Sequence, residues 1–171
     1  MTTVAEIIEK LKADFREEIH STGEHAGQPW VSVKRDRVHD ILLMLKKDCG
    51  FDMLTDLCGM DYLNQGEPER FAVVYNMYSF ERNDRFRIKA FIPESDPTID
   101  SAFDVWKAAP WAEREAFDLM GIKFNNHPDL RRLVLPENYE GHPLRKDYPL
   151  RGHGERQNFP RYIKDQDGPA N

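Results

Sequence analysis

The sequence predicts an α+β fold, with helices packed on one face of a mainly antiparallel sheet, followed by an extended proline-rich C-terminal arm. Three observations carry this. Apolar residues recur at helical spacing near the N-terminus, at Val4, Ile7, Ile8, Leu11 and Phe15. Two runs rich in β-branched and aromatic residues, 71–80 and 85–92, are separated by only four polar residues. Six of the 11 prolines lie at or after Pro128, where they oppose regular helix and central strand. The division that follows is a core domain over 1–124 and a partner-docking arm over 125–171.

Each element has its own signal. Thr3 with Glu6 three residues later forms a capping box for the first helix, and Gly23 and Gly27 are expected to end it in a polar loop. Trp30 to Val33 is a short strand. Asp36 is expected to cap a second helix over Val38–Lys47, with Ile41, Leu42 and Leu45 inward and Gly50 beyond its end. Phe51 to Tyr62 has no clear period. Phe71 to Phe80 is the strongest strand. From Arg85 to Ile92, Phe86, Ile88, Ala90 and Ile92 alternate with Arg85, Arg87 and Lys89, the pattern of a half-buried strand. The polar residues between these runs make them an antiparallel hairpin. A turn over Pro93–Pro97 leads to an expected helix near Ile99–Ala108. A further helix runs from Pro110 to Met120, with proline at its start and Gly121 as its stop.

Composition excludes several functions. The 171 residues carry a net charge of −6, with 40% apolar and 32% charged residues, which suffices for one core. No stretch approaches the roughly 20 apolar residues that span a bilayer, and no basic start is followed by an apolar run as in a secretory signal. An acidic total argues against a dedicated nucleic-acid binder. The charge is unevenly placed, however: residues 129–161 hold seven Lys/Arg against five Asp/Glu. Cys49 and Cys58 are read as small buried hydrophobes, since two thiolates cannot by themselves hold an iron–sulfur cluster or a structural zinc.

Chemistry-bearing motifs are sparse. There is no GxGxxG, no phosphate-binding loop of the GxxxxGK[ST] type, no HExxH and no GxSxG. Glu113, Arg114 and Glu115 fall in the first turns of the Pro110 helix, where carboxylates complement the dipole. Arg114 and Asp118 are spaced to pair along that helix, so its start reads as a solvated helix end. His127, His142, His153 and Asp147 match no common metal-ligand spacing, and no metal is assigned. The segment 127–149 is basic and proline-rich, with apolar anchors at Leu133, Leu135, Leu144 and Tyr148. It lacks a core of its own, which suits a surface that docks on another protein.

The run from Glu113 to Pro149, EREAFDLMGIKFNNHPDLRRLVLPENYEGHPLRKDYP, closely resembles the signature of the thirty-kilodalton subunit family of NADH:quinone oxidoreductase, respiratory complex I. The match is nearly unbroken over these 37 residues. Residue by residue, the family's ERE element falls on Glu113, Arg114 and Glu115. Its HPDLRR element includes His127, Asp129, Arg131 and Arg132, and its GHPLRKDYP element includes His142, Arg145, Lys146, Asp147 and Tyr148. The resemblance implies a hydrophilic peripheral-arm subunit with no catalytic residue and no cofactor of its own. FMN and the Fe–S clusters would sit on other subunits that pass electrons from NADH to quinone. The partners implied are the large quinone-site subunit and the adjacent Fe–S subunit, in a hetero-oligomer. The implied location is the cytoplasmic side of the inner membrane, without a membrane span and without nucleic acid. Charge reversal at Arg131 or Arg145 is then expected to weaken assembly and leave the fold intact. Three other readings stay open: the equivalent subunit of a membrane-bound hydrogenase or formate hydrogenlyase, a separate acid–base enzyme using Glu113, Glu115, His127 and His142, and a nucleic-acid module using the 129–161 arm.

Overall fold

A computed structural model describes residues 3–154. Helix α1 spans Val4–Asp14 and helix α2 spans Val38–Lys47. The strands are β1 (Ile19–His25), β2 (Gln28–Lys34), β3 (Met53–Asp61), β4 (Phe71–Ser79), β5 (Asp84–Ile92), β6 (Thr98–Asp100) and β7 (Lys123–Asn125), and helix α3 spans Ala109–Met120. Five strands form one sheet in the order β1-β2-β5-β4-β3. Every pairing in it is antiparallel except β2 with β5. Strands β6 and β7 form a small parallel pair. The α+β expectation stands.

Register sorts the sheet into two faces. Val33, Ala90, Val73 and Gly59 lie across from one another on one face, as do Val31, Ile88, Tyr75 and Leu57. Apart from Gly59 these are almost fully buried, in one cluster with Ile7 and Leu11 of α1, Ile41, Leu42 and Leu45 of α2, and Ala116 and Met120 of α3. Helix α3 lies over β3. At Gly59 a Cβ would meet the Met120 sulfur at 2.6 Å, so glycine there is what lets the helix come close.

The Thr3–Glu6 capping box forms as expected, with both bonds present. So do α2 at its stated bounds, the β4–β5 hairpin, and Gly121 as a left-handed stop at φ +75. Three expectations are corrected. Residues 19–25 are a strand rather than a loop. Ala26 and Gly27, both at positive φ, turn it back on β2 in a two-residue hairpin. Its polar composition hid it, because it is an edge strand held by ladder bonds and not by burial. Asp36 does not cap α2: the N-cap is Arg37, with no side-chain cap bond. No helix spans 99–108. Thr98–Asp100 pairs with β7 instead, Ser101 donates to the Asn125 carbonyl at 3.0 Å, and Ala102 donates to the Glu113 carboxylate at 2.7 Å. These bonds hold the start of that segment in a non-helical path.

Candidate functional site

Helix α3 organises the segment that follows it. Its apolar stripe, Ala109, Ala116 and Met120, includes Glu113, an acid at an apolar position that is 0% exposed. Glu113 accepts from Ser101 Oγ at 2.5 Å and from the Ala102 N–H. Its Oε2 lies 3.8 Å from His127 Nε2. Burial raises the Glu113 pKa, and the bonds from Ser101 and Ala102 and the nearby His127 only partly offset it. His127 is itself tied down. The Asp129 N–H donates to Nδ1 at 3.0 Å, which places the ring proton on Nε2, and Nε2 donates to the Pro110 carbonyl at 3.1 Å.

Asp118 is the second buried acid. One carboxylate oxygen accepts three successive backbone N–H groups, from Leu133 (2.9 Å), Val134 (2.7 Å) and Leu135 (2.8 Å). The other accepts from the Arg132 guanidinium at 2.7 Å, which also donates to the Tyr139 carbonyl. Burial alone would raise the Asp118 pKa. The Leu135 and Val134 N–H groups, Arg132 and the Leu133 N–H together outweigh it and hold the carboxyl below the usual range. Arg114 does not pair with Asp118 as its spacing suggests. It donates instead to the Arg131 and Arg132 carbonyls, both at 3.1 Å, because the incoming segment offers it fixed acceptors and takes Asp118 for itself. The start of α3 is therefore a clamp and not a solvated helix end.

The GHPLRKDYP element closes the other end of the helix. The last four carbonyls of α3 have no partner within the helix. Phe117 O accepts from Gly121, Asp118 O from His142 Nδ1 (3.0 Å), Leu119 O from the Leu144 N–H (3.0 Å) and Met120 O from Arg145 Nε (2.8 Å). A Cβ at Gly121 would lie 2.5 Å from His142 Nε2 and 2.6 Å from Arg145 Nη2, so glycine serves both the turn and the approach of the two caps. Burial lowers the His142 pKa, and Arg145 and Arg132 add to this against the opposing Asp118 carbonyl.

A third anchor reaches back to β3. Asp61, 4% exposed, accepts the fork of Arg70 (3.2 and 3.0 Å), the Leu63 N–H and the Lys146 N–H at 2.8 Å. Arg70 also pairs with Glu94 and with Asp147, the latter at 2.8 Å. The Phe71 ring has the guanidinium carbons of Arg70 and Arg145 at 4.8 and 5.0 Å from its centroid. Cation–π contacts of this kind favour the closed arrangement.

The sequence-predicted residues thus separate. Glu113, Arg114, His127, Arg132, His142, Arg145 and Asp147 are engaged inside the chain, and Lys146 through its backbone. Tyr148 lies against Tyr139, hydroxyl to hydroxyl at 2.7 Å. Asp129 and Arg131 pair with each other at the surface, and Glu115 is exposed. Charge reversal at Arg145 would therefore strike the fold, a correction to the expectation that it would spare it. The four groups of the acid–base reading do not converge: Glu113 and His127 meet beside the first half of α3, whereas His142 caps its end. Among the described residues no group of three or more His, Cys, Asp and Glu is placed to hold a metal, and both cysteines are unbridged. Sequence reasoning missed Asp118, Asp61 and Arg70. Outward, the same region presents apolar side chains: Trp111 (63% exposed), Leu133, Val134 and Leu144.

Fold and site define an α+β module whose signature segment is clamped onto one helix and offers surface rather than a pocket. The family described as respiratory-chain NADH dehydrogenase, 30 Kd subunit, matches residues 31–154, and the chain belongs to that family. It is 49% identical to the NADH-quinone oxidoreductase C subunit of Geobacter sulfurreducens over 84% of this chain and 88% of that one. The relative of the same name from Thiobacillus denitrificans is 39% identical over 91% of each. Among solved structures, a trypsin-resistant fragment (1-134) of Nqo5 is similar at TM-score 0.66 and 34% identity, covering 74% of this chain and 98% of that one. A chain of a membrane-bound sulfane sulfur reductase shares the fold at TM-score 0.72 and 19% identity, covering 97% and 98%.

Proposed function

We propose that this chain is a non-catalytic subunit of the hydrophilic arm of a proton-translocating NADH:quinone oxidoreductase, where it supports assembly of the quinone-site and cluster-bearing subunits. Membership of the 30 kDa subunit family carries the reading. The geometry of α3 supports it. The motif residues hold residues 127–148 in one shape on α3, and Leu133, Val134 and Leu144 of that segment and Trp111 of the helix are exposed. Exposed large apolar side chains grouped beside an arginine are what partner contacts are made of. The division at residue 124 then separates the sheet domain from the segment that meets the partners, with Arg131 as a rim charge. No helix among the described residues is long and apolar enough to cross a membrane, so attachment at the cytoplasmic side of the inner membrane would come through companions. FMN and Fe–S clusters belong to those companions.

The test is a pull-down from gently solubilised membranes with this chain as bait and partners identified by mass. Flavin-, cluster- and quinone-site subunits are expected. Recovery of hydrogenase subunits instead would move the function to the sister complexes, and recovery of none would overturn it.

A further inference from the structure

The sheet face that carries no helix holds a row of cations. Arg85, Arg87 and Lys89 alternate along β5 and point away from buried Phe86, Ile88 and Ala90. Lys34, at the end of β2, is in register with Phe91 and shares that face. Elsewhere six arginines pair with carboxylates, Arg35, Arg37, Arg70, Arg82, Arg131 and Arg132, and Arg114 and Arg145 are taken up by backbone carbonyls. Among the described residues, Lys34, Arg85, Arg87 and Lys89 have no carboxylate partner. Two of the four are held in place all the same. Arg87 donates to Asn76 Oδ1 at 2.7 Å and to Gln28 Oε1 at 3.0 Å. Lys89 Nζ stands 4.5 Å from the centroid of the Trp30 ring, and Trp30 packs so closely on Gly23 that a Cβ there would meet it at 2.6 Å.

Around this row the face is grooved and carries two exposed methionines. Met53 and Met60 of β3 lie on it, exposed at 43% and 38%. A groove of about 300 Å³ runs between Gln28, Asp56, Asn76, Arg85 and Arg87. Asp56 is a carboxylate on this face, and it lies 3.4 Å from the Asn76 amide. In a chain of net charge −6, this is a concentration of positive charge in which four cations share a face with Asp56 and none is ion-paired among the described residues. Half-buried, pre-oriented Arg and Lys lose little conformational freedom on docking, and Arg, Trp and Met are among the residue types enriched at interfaces.

We propose that this open sheet face docks a protein partner that presents clustered Asp and Glu side chains beside an apolar surface. The exposed methionines favour a protein over a nucleic acid, because a phosphate backbone offers them nothing to bury against. The inference rests on the reading of the chain as an assembly subunit and adds the surface and the chemistry it recognises.

The experiment uses the assembled complex in solubilised membranes, with a carbodiimide that joins amines to carboxylates without a spacer. Lys34 and Lys89 are expected to link to Asp or Glu of another subunit, and the Lys34→Arg/Lys89→Arg variant to lose those links. Arg85→Glu with Arg87→Glu and Lys89→Glu is expected to lower recovery of companions at least tenfold. A complex recovered with its flavin and cluster subunits but with both lysines unlinked, or linked only to a second copy of this chain, would overturn the docking surface and leave the subunit reading standing. Equal recovery with the triple variant would also overturn it. Failure of the parent chain to recover any companion would bring down both.

Discussion

At the scale of single residues, Asp118 organises the most backbone. A carboxylate oxygen that accepts three successive N–H groups and lies beside a guanidinium replaces what a strand partner or a helix turn would supply to 133–135. Removing it leaves those donors unpaired and Arg132 without its carboxylate, so the segment must leave α3 or stay docked with buried polar groups unsatisfied. Asp118→Ala is expected to cost about 3 kcal/mol, the range for breaking a buried, hydrogen-bonded charge pair, measured by urea unfolding of the chain. A loss under about 0.5 kcal/mol, the size of an ordinary surface substitution, would show that the clamp does not hold the segment. Asp118 was not legible from sequence. Its partners lie 14 to 17 residues away in an irregular segment with no periodicity to predict their direction. Glu113 was legible as a site but not as buried. The signal was its place on the stripe of Ala109, Ala116 and Met120, where an apolar residue belongs.

At the scale of elements, α3 shows how a loop can complete a helix. Its last four carbonyls are met by Gly121 and by three residues of the 142–145 segment. The proline-rich stretch is thus shaped by α3, which offers acceptors, as much as by its own fixed φ angles. Gly121→Ala tests the coupling. The left-handed φ alone costs about 1–2 kcal/mol for a residue with a Cβ. The methyl group also displaces His142 and Arg145, each worth about 1 kcal/mol, so a total loss of about 3 kcal/mol is expected. Tryptic cleavage after Arg145 and Lys146 should quicken in parallel. A loss confined to about 1 kcal/mol with unchanged cleavage would mean that the caps rearrange freely. The same element explains which parts of the fold sequence reading reached. Helices α1 to α3 and the β4–β5 hairpin carry their stabilisation as apolar period. Strand β1 and the 98–102 segment carry theirs as backbone pairing to distant residues, and composition does not encode that. The helix expected over 99–108 fails for this reason: Thr98–Asp100 is held extended by its pairing with β7.

At the scale of the whole molecule, acid should loosen the α3-bound segment ahead of the sheet. Three carboxylates that anchor 131–147 are held below their usual range: Asp118 as described, Asp61 by Arg70 and the Lys146 and Leu63 N–H groups against its own burial, and Asp147 chiefly by Arg70. A carboxyl whose folded pKa is depressed adds stability that is complete above its unfolded value and is lost as pH falls through the folded value. Glu113 runs the other way: its pKa is raised, so the stability linked to it is present in acid and falls as pH rises through the folded value. Three anchors against one leave a net loss below about pH 4, near the unfolded pKa of Asp. The sheet and its apolar cluster hold through that window, because their stabilisation does not titrate. The Leu133, Val134 and Leu135 amides report directly, since all three donate to Asp118. Their proton shifts are expected to move together in an acid titration, with a midpoint below that of an ordinary aspartate, while the β4–β5 amides stay fixed. Movement of both sets at one midpoint would mean that clamp and core unfold as one unit. Three amides that never shift would remove Asp118 as their acceptor.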